Sequence, residues 1–226
     1  MRSQVAVLTG ALLVAGGAVA AAQDREVASF DSVHVASGIR ATVEIGARKP
    51  VHLEADKDVL DSIETRVEEG TLHVGFKPRF HWNTGEVTVT IQTPELHAVA
   101  GSGGAAVRAT FTRSTNSAIS SSAGSEVHVR GVDAKELAVE GAGGAILDVA
   151  GRADQLSLQL SGGSRLDARK LEAKNVDVHG SGGSVAELRA SEKVRGFLSG
   201  GSEMHVRGGA RATVATSGGS EVSVED

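Results

Sequence analysis

Ionisable side chains recur at regular intervals along the C-terminal half of this chain. The set contains two histidines and three acidic residues, namely His128, Asp148, Asp167, Glu187 and His205. Carboxylate oxygens are the ligands that Ca²⁺ prefers in proteins. If each interval is one turn of a repeating structure, neighbouring carboxylates stand about 5 Å apart and can share such a cation. The pattern therefore makes this column a candidate metal site.

Arginines two positions further along suggest another interpretation of the same column. They are Arg130, Arg169, Arg189 and Arg207. Asp167 then lies beside Arg169, and Glu187 beside Arg189, so the charges compensate along each strand. The Asp-containing glycine-rich repeat typical of calcium-binding solenoids is also missing. We therefore favour a solvated face of ion pairs over a metal site.

A second candidate contact site is His81, Trp82 and Asn83, which follow Pro78 and include the single tryptophan. Exposed aromatic side chains on loops often contact ligands. The alternative is that Trp82 covers an early coil or plugs one end of the fold. We favour this second, structural role.

The residue pattern argues against an enzyme. The chain has no cysteine, which excludes thiol nucleophiles, disulfides and thiolate metal sites. Its glycine pairs lack the following lysine and helix of a phosphate-binding loop. A glycan-cleaving β-helix needs clustered carboxylates or basic residues around a cleft, and nothing separates Asp148, Asp167 and Arg169 from ordinary surface charges. We predict no catalytic residue and no cofactor.

These candidates are positioned by a repeat. A tetrad of the form small-Gly-Gly-small occurs seven times, with Ala123 replacing the first glycine of the second copy. The copies lie at positions 102–105, 122–125, 142–145, 161–164, 181–184, 199–202 and 217–220. The intervals between successive copies are nearly constant and shorten slightly toward the C-terminus. Such a fixed period is typical of a solenoid.

Strand-like alternation surrounds each tetrad. Apolar or small residues occupy the third and fifth positions after the second glycine, as in Val127 and Val129, with mostly polar residues between them. Further apolar residues precede each tetrad with the same period of two, which is typical of half-buried strands. We predict an all-β, right-handed parallel β-helix with about 19–20 residues per coil.

The domain organisation follows from these patterns. Residues 97–226 are predicted to form the regular repeat, and residues 23–96 to form irregular N-terminal coils of the same continuous domain. Alternating segments such as Val33-His34-Val35 indicate strands in the early part. Residues 56–63 are the one predicted helical turn, with Asp56 as its capping residue.

Residues 1–22 resemble a secretory signal peptide. Arg2 precedes an apolar run, and small residues at Ala20 and Ala22 fit a cleavage site. We therefore expect an exported protein, periplasmic or secreted, with no membrane span after cleavage. Without cysteine there is no lipidation site, and the net charge of −5 makes nucleic acid an unsuitable partner.

Several features together resemble the putative auto-transporter adhesin head domain (head GIN) family. They are Phe30 with Val33-His34-Val35, the segment from Glu69 to Val74, the segment from Ile91 to Leu96 and the SGG repeats. The resemblance spans nearly the whole mature chain. It implies a β-helical domain of the bacterial envelope or secretome and carries over no catalytic residue.

The sequence therefore predicts a non-catalytic, adhesin-like interaction or structural module of the cell envelope. Its partner is an unidentified envelope protein or polymer. Two alternatives stay open. One is a polysaccharide-active β-helix enzyme. The other is a scaffold that self-associates by edge pairing of its terminal coils, since Val222 and Val224 lie in the last strand.

Overall fold

The computed structural model describes residues 7–9, 20–77 and 85–225. These residues form 18 strands and one short helix. The strands are β1 (Val7–Thr9), β2 (Ala20–Arg25), β3 (Ser32–Ala36), β4 (Arg40–Ile45), β5 (Val51–Asp56), β6 (Ile63–Glu68), β7 (Thr71–Phe76), β8 (Thr88–Thr93), β9 (Ala98–Ser102), β10 (Ala106–Thr110), β11 (Ser114–Ser122), β12 (Glu126–Ala142), β13 (Ile146–Leu160), β14 (Arg165–Gly180), β15 (Val185–Leu198), β16 (Glu203–Arg207), β17 (Arg211–Thr216) and β18 (Glu221–Glu225). The helix is α1 (Lys57–Leu60).

Parallel pairing between successive coils builds the C-terminal part. Glu126 pairs with Ile146, Ile146 with Arg165, and Arg165 with Val185, so each step advances the chain by one tetrad interval. The last two steps, from Val185 to Glu203 and on to Glu221, are slightly shorter, as are the last two tetrad intervals. This register matches the tetrad spacing, so the predicted parallel β-solenoid is confirmed.

Each regular coil has three sides. Within β12 the alternation of buried and exposed residues breaks at residues 130–131 and again at 135–136. We call side 1 the segments after each tetrad, here residues 126–130. Side 2 is the short middle segment, here residues 132–135. Side 3 is the segment that leads into the next tetrad, here residues 137–142.

The tetrads form the corners between side 3 and side 1. Their two central residues both have positive φ, for example 63° at Gly182 and 72° at Gly183. Glycine adopts this left-handed conformation without the steric cost of a Cβ atom. Ala123, with a φ of 51°, is the one non-glycine residue at these positions.

Aliphatic columns fill the interior. Side 1 contributes Val107, Val127, Leu147, Leu166, Ala186 and Met204, all buried. Side 3 contributes Val99, Ile119, Val139, Leu158 and Val178, also buried. Because one coil cannot bury its own apolar face, this stacking creates the core. The inward columns predicted from the alternation are therefore confirmed except at the last coil, where Val224 is 47% exposed.

The N-terminal strands do not stack in chain order. β3 lies between β7 and β9, and β4 lies between β8 and β10, with parallel pairing throughout. Ser37 and Gly38, with φ of 62° and 71°, turn the chain between β3 and β4 as a tetrad does. The irregular early coils were predicted, but this inserted coil was not, because Ser37-Gly38 is only part of the repeat.

Antiparallel strands close the N-terminal end of the solenoid. β5 pairs with β8, β2 with β5, and β1 with β2, while β6 pairs with β7. The predicted helical turn is present as α1. The predicted cap is wrong, because the Asp56 side chain makes no capping hydrogen bond. No helix in the described ranges has the length and apolar character needed to cross a membrane.

Candidate functional site

The predicted acidic column lies on the outward surface of side 1, in register from coil to coil. His128 pairs with Asp148, Asp148 with Asp167, Asp167 with Glu187, and Glu187 with His205. The period of the repeat and the alternation along each strand place all five side chains in one row. The solenoid therefore brings the predicted residues together as the sequence indicated.

Ion pairs occupy the centre of this column. Arg169 Nε donates to Asp167 Oδ1 at 3.0 Å and lies 3.2 Å from Glu187 Oε2 in the next coil. Hydrogen bonding to Arg169 lowers the pKa of Asp167 below its ordinary value, and Asp167 in turn raises the pKa of Arg169. The predicted pairing of Glu187 with Arg189 is wrong, because Arg169 takes that place.

The histidines at the two ends of the column have local partners. His128 Nε2 lies 2.6 Å from Glu126 Oε1, and its Nδ1 lies 3.6 Å from Asp148 Oδ2. His205 Nδ1 lies 2.6 Å from Ser223 Oγ. Across the described ranges, no group of three or more histidine and carboxylate side chains is arranged to hold a metal ion. His81, Trp82 and Asn83 lie outside the described residues.

Side 2 carries a surface that the sequence analysis missed. An open groove of about 1150 Å³ runs across its successive coils. It is lined by five cationic and three acidic side chains, which are Arg113, Lys135, Arg152, Lys174, Arg189, Asp133, Asp154 and Glu172. The groove thus has a local excess of two positive charges on a chain whose net charge is −5.

The charges in the groove alternate in sign along the solenoid axis. Asp133 pairs in register with Arg152, Arg152 with Glu172, and Glu172 with Arg189. Arg152 makes a bidentate contact with Asp133, at 2.9 Å from Nε and 2.8 Å from Nη2. In the neighbouring row Lys174 Nζ lies 2.6 Å from Asp154 Oδ1. We call these two rows, together with Arg113 and Lys135 of the same groove, the side 2 charge ladder.

The cations of the ladder stay accessible. The side chains of Arg113, Arg152 and Lys174 are 83%, 66% and 56% exposed. Lys135 and Arg189 make no ion pair with any residue in the described ranges. The signal that could have revealed this surface is a charge of alternating sign at equivalent positions of successive coils, in Asp133, Arg152 and Glu172.

Side 3 differs from side 2 in character. Near the N-terminal end its outward residues include the small side chains of Ala98, Ala100 and Ala118. Further along lie the ion pair between Arg195 and Asp177, at 3.0 Å, and Phe197, which is 42% exposed. Side 3 therefore carries an exposed ion pair comparable to those of side 2, at a position that is not part of the side 2 charge ladder.

Comparison with solved structures shows the same fold in several bacterial proteins. A putative adhesin from Bacteroides fragilis aligns with a TM-score of 0.81 and 16% identity, covering 91% of this chain and 95% of that one. A putative adhesin from Parabacteroides distasonis has a TM-score of 0.71 and 19% identity, with 93% and 98% covered. A putative lipid binding protein from the same species has a TM-score of 0.72 and 13% identity, with 92% and 97% covered.

At these identities the similarity shows the fold alone. A comparison with curated protein sequences gives no match. The sequence of residues 29–210 matches the family described as "Putative auto-transporter adhesin, head GIN domain". This match covers most of the chain, including the inserted coil and the side 2 charge ladder. The chain therefore belongs to the head GIN domain family of putative auto-transporter adhesins.

Proposed function

We propose that this protein is a non-catalytic, adhesin-like binding module that holds an anionic polymer of the cell envelope along side 2. The observation that carries the proposal is the side 2 charge ladder, an accessible and locally positive groove on an acidic protein. Family membership supports an adhesin-like role in the envelope or outside the cell.

Charge complementarity favours an anionic partner. Lys135 and Arg189 face the groove without an ion-pair partner among the described residues, so they are available to a ligand. Exposed single-contact ion pairs such as Lys174 with Asp154 are worth little in water, so a carboxylate from the partner can compete for the lysine. Within each row of the ladder a cation occurs at every second coil, so neighbouring cations in a row lie about 10 Å apart. This spacing suits an extended chain with repeated negative charges.

The lining of the groove favours a polymer over a folded protein. Protein interfaces are usually anchored by buried aromatic or large apolar side chains. The residues that line this groove include serines, alanines and charged side chains, and none is a phenylalanine, tryptophan or leucine. A flexible polyanion needs distributed cations and no such anchor.

The lipid-binding name of one structural neighbour does not favour the same role here. The interior of this solenoid is filled by buried aliphatic columns such as Val127, Leu147 and Leu166. These side chains belong to one continuous buried core, and such protein interiors have few voids larger than a water molecule. The surface of side 2 is therefore the better candidate.

We also propose that the protein is exported. The apolar run before Ala20 supports a signal peptide. Cleavage after Ala22 would keep Gln23, Asp24 and Arg25 paired with β5. Cleavage there would remove β1 and residues 20–22 of β2. The mature protein would keep the rest of the closure, formed by the antiparallel pairs β5 with β8 and β6 with β7.

The test is binding of polygalacturonate, a linear polymer with one carboxylate per sugar, measured by calorimetry at low salt. We expect binding that weakens as salt rises, since the Debye length falls from about 30 Å at 0.01 M to about 10 Å at 0.1 M. Reversing one ladder charge with Arg152→Glu should weaken binding about tenfold, equivalent to about 1.4 kcal/mol.

A matched control is Arg195→Glu on side 3, which changes the same charge beside a comparable ion pair with Asp177. It should bind as the wild type does. Lys135→Glu provides a second ladder variant in case Arg152→Glu does not fold. Equal losses in the side 2 and side 3 variants, or equal binding of neutral dextran, would overturn the proposal.

A further inference from the structure

Two histidines from distant parts of the sequence meet on side 3. His34 lies on β3 and His73 on β7, and the two residues are in register across the parallel pair. Their Nδ1 atoms are 3.4 Å apart, and the rings meet edge to face at 84° with centroids 5.5 Å apart. Both side chains are half-buried. The insertion of β3 beside β7 creates this pair.

A serine orients the first ring. His34 Nε2 lies 3.0 Å from Ser102 Oγ on β9. When Nε2–H donates to that hydroxyl, Nδ1 of His34 carries a lone pair that points toward Nδ1 of His73. Metal-binding histidines usually show this arrangement, in which the second ring nitrogen donates to an oxygen that sets the tautomer.

The distance between the two nitrogens suits a single metal ion. Zinc binds imidazole nitrogen at about 2.0–2.1 Å with tetrahedral geometry, so two such nitrogens lie about 3.3–3.4 Å apart. The observed separation is 3.4 Å, and this contact is a hydrogen bond between the two rings. A tetrahedral ion such as Zn²⁺ could take the place of the shared proton and bind both nitrogens with little change in this distance.

We propose that His34 and His73 form a site for a late divalent transition-metal ion, such as Cu²⁺, Ni²⁺ or Zn²⁺, through their Nδ1 atoms. Imidazole is a good ligand for these metals. The groove beside His34, of about 280 Å³, leaves room for water molecules at the remaining coordination positions. The site uses two protein ligands, in keeping with the finding that no cluster of three or more occurs in the described ranges.

The experiment is calorimetric titration of the untagged chain with CuCl₂, NiCl₂ and ZnCl₂ at pH 7.5. We expect one equivalent to bind, with Cu²⁺ the tightest of the three. Electron paramagnetic resonance of the Cu²⁺ complex should show two nitrogen ligands. His34→Ala and His73→Ala should each weaken binding by at least tenfold, and Ser102→Ala by about tenfold through loss of the oriented tautomer.

The matched control is His205→Ala, since His205 is an exposed outward histidine that contacts Ser223 and no second histidine. This variant should bind copper as the wild type does. All three affected residues are half-buried, so circular dichroism will show whether each variant keeps the β fold. Equal affinity of wild type and His73→Ala, or an equal loss in His205→Ala, would overturn the proposal. Polyanion binding by side 2 does not depend on its outcome.

Discussion

Leu198 lies directly over Gly180 in the adjacent coil, with its Cδ2 atom 2.6 Å from the place where a Cβ atom of residue 180 would be. Gly141 has the same relationship with Leu160, at 2.8 Å. Glycine and leucine thus alternate along the inner edge of side 3 from Gly141 to Leu198. Each leucine fills space that the neighbouring glycine leaves open, which keeps the coils at strand-pairing distance.

We expect Gly180→Ala to destabilise the protein by about 1–3 kcal/mol, because the added methyl group overpacks the core. Chemical denaturation will measure the change. Gly75→Ala is the control, since the nearest atom to a Cβ there is Ala36 Cβ at 3.8 Å. In a protein that already carries Leu198→Ala, adding Gly180→Ala should cost much less stability, because the leucine side chain that the new methyl group would overlap is gone. If Gly180→Ala and Gly75→Ala destabilise equally, this packing explanation is wrong.

Arg25 ties the N-terminal strands to the chain around α1. It is 8% exposed, and its Nη1 and Nη2 donate to the carbonyl oxygens of Ile63 and Leu60, both at 2.7 Å. Burial lowers the pKa of Arg25, but an arginine guanidinium is not deprotonated in proteins. The hydrogen bonds of this buried cation satisfy two carbonyl groups.

Replacing Arg25 with Ala should therefore cost about 2–3 kcal/mol, since hydrogen bonds to charged groups are stronger than neutral ones. Thermal unfolding will show the loss. Arg66→Ala, which removes an exposed partner of Glu68 at 3.4 Å, should change stability by less than about 0.5 kcal/mol. A similar effect of both substitutions would contradict the anchoring role of Arg25.

His52 should make the N-terminal end more stable at low pH than at high pH. Its hydrogen bond to Asp24, at 2.6 Å between Nδ1 and Oδ1, raises its pKa, and Glu54 adds to this effect. A raised folded-state pKa gives stability that is full below the unfolded value near 6.5 and is lost as pH rises through the folded pKa.

Denaturation of wild type and His52→Gln at pH 5.5 and pH 8 will test this dependence. The wild type should be the more stable at pH 5.5 by no more than about 1 kcal/mol, because the pair is exposed, and the difference should vanish at pH 8. If the stability difference between wild type and His52→Gln grows toward pH 8, protonated His52 is not stabilised by Asp24 and the explanation is wrong.

One edge of β18 has no partner strand in the described part of the chain, and Val224 on this strand is 47% exposed. β18 pairs with β16 alone among the described strands. In an antiparallel pair of two β18 strands centred on Ser223, Glu221 would face Glu225 of the second copy. Like charges directly opposite each other are destabilising, so these glutamates protect the edge at neutral pH.

We therefore expect the double variant Glu221→Gln and Glu225→Gln to dimerise more strongly than the wild type. Sedimentation over a concentration series will measure the shift. Glu203→Gln on β16 is the control, because β16 pairs with strands on both sides. Unchanged sedimentation of the double variant would exclude edge pairing through β18.

Local patterns in the sequence were enough to predict the regular coils. The tetrad spacing predicted the register, and the alternation predicted which residues face inward, such as Val127 and Leu147. The spacing and the alternation could not predict that Glu187 contacts Arg169 and not Arg189. Arg189 aligns with Glu172 of side 2 in the preceding coil, because the length of the coil changes there and shifts the register.

The sequence by itself determined the solenoid, since a short, nearly constant period with Gly-Gly corners and alternating strands has one way to bury its apolar face. Only the tertiary structure decided where β3 and β4 lie. Their insertion beside β7 and β8 brings together His34 and His73, which are far apart in the sequence. No local pattern specifies such a pairing, because it is stabilised by contacts with β9 and β10, which lie further along the sequence.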